Sequence, residues 1–153
     1  MDRVALRRRG VTLLELLVVV TLIGIFAAVA AARYGRSFFG DFGAQGAARR
    51  LALELSRAQR LAITTGDNHF VELRQSDGRA GYRLMRRSPS GTAPVDNPHW
   101  FDKEVTVRSS DTELEFTFEG EALGAYRVQL SGANRQFRIL VTPVSGAVRI
   151  EQP

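Results

Sequence analysis

A glycine and a glutamate five positions apart carry the most specific chemistry in this sequence. The run Arg7-Arg8-Arg9-Gly10 is followed by Val11-Thr12-Leu13-Leu14-Glu15. Gly10 has no side chain, which leaves its backbone open to close approach. Glu15 is the only charge in residues 11–32, VTLLELLVVVTLIGIFAAVAAA. A carboxylate near the centre of a spanning helix costs about 2.5–3.5 kcal/mol on insertion scales, and less near the interface. A partner cation would offset part of that cost.

The usual catalytic groups are sparse. His69 and His99 are the only histidines, and neither sits at a metal-ligand spacing from a second ligand. The absence of cysteine excludes disulfides, thiolate zinc sites and cysteine nucleophiles together. No G-x-S-x-G, Walker or dinucleotide-binding pattern occurs. Asp67 and Asp96 read as turn or cap residues. We therefore expect no catalytic, cofactor-binding or metal-ligating residues, and a protein that is not an enzyme. Trp100 and Phe101 are a further candidate, because they close the stretch SPSGTAPVDNPHWFDK (residues 88–103). Such a loop is either tucked onto its own domain by the aromatics or offered to a partner. Pro89, Pro94 and Pro98 exclude a regular central strand there.

The elements that position these residues follow from hydropathy and period. As a helix, residues 11–32 span roughly 33 Å, enough for a bilayer core of about 30 Å. Valine, isoleucine and leucine fall on every face, which excludes an amphipathic surface helix. Arg3, Arg7, Arg8 and Arg9 keep the N-terminus cytoplasmic and send the residues after Arg33 across the membrane. An ordinary secretory signal competes, with Ala28-Val29-Ala30 and Ala30-Ala31-Ala32 as cleavage patterns, although this apolar stretch exceeds the usual 7–15 residues. A plain uncleaved anchor explains the length but gives Glu15 no reason. The formal charge of +5 falls to +2 without residues 1–10, so the basic balance belongs largely to the leader. That is weak support for nucleic-acid binding by the rest.

Residues 33–46, RYGRSFFGDFGAQG, hold four glycines that each weaken a helix by about 1 kcal/mol relative to alanine. A continued but flexible helix, or a locally melted one, is expected, with Phe38, Phe39 and Phe42 as interfacial anchors, core residues or subunit contacts. Residues 44–65 return to helical period: Ala44, Ala47, Ala48, Leu51, Leu55, Ala58, Leu61 and Ala62 recur at three- and four-residue steps. Arg49, Arg50, Glu54, Arg57 and Arg60 fall mostly elsewhere, and Gly66-Asp67 ends the helix. Candidate strands are residues 69–74, 82–87, 105–109, 113–119, 126–130, 137–142 and 147–150. Leu114, Phe116 and Phe118 alternate with Glu113, Glu115, Thr117 and Glu119. The expected organisation is a leader (1–10), a transmembrane part of the helix (11–33), the remainder of the helix (34–66) and an antiparallel β domain (67–153). The fold class is α+β, a long N-terminal hydrophobic helix packed on antiparallel β-sheets.

The residues around Gly10 resemble the prepilin signal of type IV pilins and type II secretion pseudopilins. In that family a basic leader ends in glycine, cleavage follows it, and glutamate is the fifth mature residue, as Glu15 would be. Many members have phenylalanine or methionine first, where this chain has Val11. The resemblance implies cleavage between Gly10 and Val11 by prepilin peptidase, N-methylation of Val11, an assembly charge pair at Glu15, and a pilin-like fold. Residues 51–66 and 141–150 (VTPVSGAVRI) resemble the arginine-rich helix and closing hairpin of GspH/FimT-type minor pseudopilins. This implies a subunit of the type II secretion pseudopilus in the bacterial inner membrane and periplasm, at or near the filament tip, with other pseudopilins as partners. A FimT-like minor pilin in pilus assembly or DNA uptake is the alternative. FimT-type DNA receptors carry Gly-Arg-x-Arg near the C-terminus. The aligned Gly146-Ala147-Val148-Arg149 lacks the first arginine, so nucleic-acid binding is not expected. The calcium loop of major pseudopilins is acidic, whereas SGAVRIEQP holds only Glu151, so no calcium site is expected.

Overall fold

A computed structural model describes residues 12–32 and 42–153 in full and the backbone of residues 33–41. Among the described residues one helix, α1 (Leu13–Thr65), precedes nine strands. These are β1 (Asn68–Ser76), β2 (Arg79–Ser88), β3 (Gly91–Pro94), β4 (His99–Trp100), β5 (Thr106–Ser109), β6 (Glu113–Phe116), β7 (Tyr126–Ser131), β8 (Gln136–Val141) and β9 (Val148–Glu151). The chain divides into two compact units, Met1–Arg36 and Ser37–Pro153.

In the first unit, every described residue of α1 up to Ala32 is exposed, as expected for a helix without a polar face. Leu13–Ala32 is long and apolar enough to cross a membrane. Thr21 satisfies its hydroxyl within the helix, donating to the Val18 carbonyl at 2.8 Å. The backbone stays helical through Gly35, Gly40, Gly43 and Gly46, so local melting is not what the chain adopts. The side chains of Phe38 and Phe39 lie outside the described residues, and Phe42 is exposed.

In the second unit the alanine-leucine stripe is the buried one. Ala44, Ala48, Leu51, Leu55, Ala58 and Ala62 have no exposed surface, and Leu61 packs half-buried beside them. Fully burying a leucine contributes about 1.5–3 kcal/mol, so this stripe, more than helix propensity, anchors the segment. The helix stops where Gly66 donates its amide to the Ala62 carbonyl at 3.1 Å.

Both sheets are antiparallel. The first has the order β3-β2-β1-β6, with β4 also pairing on β2, and the second the order β5-β7-β8-β9. Val71, Leu84, Leu114 and Phe116 from the first sheet share one core with Val128, Leu130, Phe137, Ile139 and Val141 from the second. Gln59 pins two loops to the helix, donating to the carbonyls of Gly120 at 2.8 Å and Ser145 at 3.0 Å. Gly146 sits beneath that contact at φ +62, where a Cβ would lie 2.6 Å from the Gly120 oxygen. No larger residue fits there.

Three expectations change. The 88–103 stretch is not one loop: β3 and β4 form within it, because an edge position needs only one hydrogen-bonded side and so accepts Pro94. β6 ends at Phe116, short of residue 119, since Thr117 turns the chain back, its carbonyl accepting the Gly120 amide and its amide meeting the Glu121 carbonyl. Phe118 is therefore 54% exposed and leaves the alternation of Leu114 and Phe116. Glu115 is buried, unlike its neighbour Glu113.

Candidate functional site

Gly10 and Val11 lie outside the described residues. From Thr12 onward the local geometry is visible. Thr12 caps the helix: its Oγ1 accepts the Glu15 amide at 3.2 Å, and its carbonyl accepts the Leu16 amide at 3.1 Å. Glu15 thus stands in the first turn, where the helix N-terminus carries about half a positive charge. Thr12-Leu13-Leu14-Glu15 is the T-x-x-E spacing of a capping box, a local signal the sequence itself carries. Local electrostatics accordingly supply one reason for a carboxylate at this position.

The aromatic pair at the end of the 88–103 stretch divides. Phe101 is buried at 5% exposure, its ring centroid 5.4 Å from that of Tyr82. Its amide donates to the Ala80 carbonyl, and its carbonyl accepts Arg79 Nη2 at 3.2 Å. Phe101 as a partner contact is corrected: it belongs to the core of its own unit. Trp100 is 38% exposed and lies over Gly81, where a Cβ would stand 2.6 Å from its Cε3. Only Trp100 of the two retains surface for a partner.

The remaining polar candidates are absorbed by structure. His69 is buried, with Nδ1 2.9 Å from the Asp67 carbonyl oxygen. Asp67 pairs with Arg86 at 3.1 Å, and Asp96 with Arg57, which also holds Glu54. Arg87 reaches both Glu115 and Glu113, and its guanidinium lies 4.6 Å from the Phe70 ring centroid. Asn68 donates to the other oxygen of Glu115 at 3.0 Å, which completes the setting of that buried carboxylate. The hydrogen bond to Glu113, aided by Glu115, holds the Arg87 guanidinium above its ordinary range; Asp96 does the same for Arg57. Arg83 donates to the Asp96 carbonyl. Of the candidate basic group, Arg86 and Arg87 are therefore ion-paired, and Arg83 is held by a backbone carbonyl. Burial raises the Tyr82 phenol, with Glu54 adding to the shift, and burial likewise raises Tyr126. Among the described residues no group of three potential metal ligands converges.

Residues 6–31 match the family model described as the prokaryotic N-terminal methylation motif. No curated protein matches the chain in sequence. The chain is similar in structure to the minor pseudopilin EpsH of the Vibrio cholerae type 2 secretion system. That likeness has 15% identity and a TM-score of 0.60, covering 72% of this chain and 97% of EpsH. It is also similar to the type IV minor pilin FimU of Pseudomonas aeruginosa PAO1, at 17% identity and a TM-score of 0.58, over 71% of this chain and 91% of FimU. At such identities the likeness is one of fold. The chain has the expected pilin-like α+β fold, with a methylation motif at its N-terminus.

Proposed function

We propose that this chain is a minor pseudopilin, a structural subunit of a type II secretion pseudopilus that works by assembly and not by catalysis. In this reading prepilin peptidase removes residues 1–10 and methylates the amine of Val11. Residues 11–33 anchor the chain in the bacterial inner membrane, residues 34–66 complete the helix, and residues 67–153 stand in the periplasm. The subunit then joins other pseudopilins at or near the filament tip. The observation that carries the reading is the methylation motif over residues 6–31, overlapping a span whose only charge is Glu15 and whose apolar residues are exposed on all faces. The similarity to EpsH supports the secretion machine.

The similarity to FimU supports a second reading, a minor subunit of a type IV pilus. DNA uptake gains little from the groups first considered for it, since Arg83, Arg86 and Arg87 are occupied and Gly146-Ala147-Val148-Arg149 lacks an arginine.

Processing is tested by mass spectrometry of the membrane-extracted protein. A mature chain beginning at methylated Val11 is expected; an intact leader, or a start near Ala31, overturns the proposal. The Glu15→Ala variant should insert normally and fail to assemble, because only the filament brings the neighbouring ammonium. Normal secretion or piliation by that variant removes the charge-pair role.

A further inference from the structure

The two sheets treat their arginines differently. In the first sheet every strand arginine has a partner: Arg74 with Glu72, Arg79 with the Phe101 carbonyl, Arg83 with the Asp96 carbonyl, Arg86 with Asp67, Arg87 with Glu113 and Glu115. In the second, Arg108, Arg127, Arg138 and Arg149 have no ion-pair or hydrogen-bond partner for their guanidinium groups among the described residues. One such arginine would mean little, because exposed guanidinium groups are well solvated. Four on one face of one sheet form a pattern.

Register places them together. Arg108 pairs with Gln129 across β5–β7, and Gln129 with Arg138 across β7–β8. Arg127 pairs with Leu140, and Leu140 with Arg149 across β8–β9. Paired residues share a face and alternate ones oppose, so all four arginines lie opposite the buried Val128, Leu130, Phe137 and Ile139. With strands about 4.8 Å apart and a rise of about 3.4 Å, successive arginines follow a zigzag with steps of roughly 8 Å across all four strands. An open groove of about 630 Å³ runs among Arg108, Ser109, Arg127, Gln129, Arg138 and Leu140.

We propose that this face docks an extended, carboxylate-rich segment of another protein. Side chains on one side of an extended peptide recur about every 6.8 Å, a spacing within reach of flexible arginines at the zigzag step. Guanidinium forks bind carboxylates in bidentate fashion. Gln129, whose Nε2 donates to Gln136 Oε1 at 2.9 Å, can accept from the segment's backbone with its own Oε1, and half-buried Leu140 offers apolar contact. A nucleic acid fits less well. The face carries no aromatic platform for bases, and Glu151, in register with Arg138, opposes a continuous polyphosphate. A protein partner of mixed charge meets Glu151 with a cation. The proposal rests on charge and register alone, and holds whichever filament the chain joins.

Fluorescence anisotropy with the full chain in neutral detergent tests it. The probes are a labelled peptide of alternating glutamate and threonine, its glutamine counterpart, and a single-stranded and a duplex oligonucleotide. Binding of the glutamate peptide alone is expected, weakening as salt rises. Each of Arg108→Gln, Arg127→Gln, Arg138→Gln and Arg149→Gln should weaken it about two- to fivefold, as exposed charge pairs do. The quadruple variant should abolish binding, while Arg49→Gln with Arg60→Gln on the helix leaves it unchanged. Circular dichroism melts monitor folding, and the four single variants provide the test should the quadruple variant fail to fold. The proposal falls if neither peptide binds, if the glutamine peptide binds equally, if an oligonucleotide binds more tightly than the glutamate peptide, or if the helix variant loses binding as the sheet variants do.

Discussion

Truncating Phe101 to alanine separates a core residue from a partner contact. The ring is 5% exposed, so its removal forfeits nearly the whole transfer free energy of a buried phenylalanine, about 2–3 kcal/mol. The tilted pair with Tyr82, at 5.4 Å and 44°, adds about 0.5–1 kcal/mol. Phe101→Ala should therefore cost about 2.5–4 kcal/mol, within the range of large-to-small core changes. Trp100 is already 38% exposed, and Trp100→Ala should cost only about 1–2 kcal/mol.

Urea unfolding of the full chain in detergent, followed by far-ultraviolet circular dichroism, measures both. With a slope near 1.5 kcal/mol per molar urea, Phe101→Ala lowers the midpoint by about 2 M and Trp100→Ala by about 1 M. Circular dichroism is the appropriate probe because Trp100 is the single tryptophan, and its substitution removes the fluorescence signal. A cost below about 1 kcal/mol for Phe101→Ala, with Trp100→Ala the larger, would refute the core assignment. Filament assembly lost in Trp100→Ala at near-normal stability would instead mark Trp100 as the partner-facing member of the pair.

Two further outcomes are expected. Gly81→Ala should destabilise the domain by about 1–3 kcal/mol through overpacking, because its Cβ would stand 2.5 Å from the His99 carbonyl oxygen; an unchanged thermal midpoint contradicts this. The buried phenols of Tyr82 and Tyr126 favour the folded state fully below the ordinary phenol value near 10, and that contribution is lost as pH rises past it. Tyrosinate absorbance should show two of the three tyrosines ionising late and together with loss of structure; all three titrating near pH 10 in a folded protein is the contrary result.

What was legible in the sequence is what periodicity reports. The stripe from Ala44 to Ala62 and the candidate strands at 126–130 and 137–142 are one-dimensional patterns imposed by burial, and each appears in the structure, the strands as β7 and β8. Strand order was not legible, because β6 reaches β1 through contacts some forty residues apart that no local pattern encodes. The burial of Glu115 was hidden for a related reason. Its carboxylate is tolerated only because Arg87 and Asn68, from other strands, converge on it. Phe118 kept the alternation on paper yet left the sheet, since the turn at Thr117 outweighed the period. The four free arginines of the second sheet were individually visible. Their convergence required the register of four strands.

Glu15 joins the local and the assembled levels of the proposal. A helix apolar on every face from Leu13 to Ala32 needs an apolar surround, whether lipid or other helices. A carboxylate in its first turn is the least costly place for a charge, since the Thr12 cap and the helix N-terminus both favour it. Insertion of a single chain therefore requires no partner for Glu15. In the proposed assembly the additional ammonium would matter only when helices pack and water is excluded, which would turn a tolerated charge into a register device. That division of labour is why loss of the carboxylate should spare insertion and strike assembly.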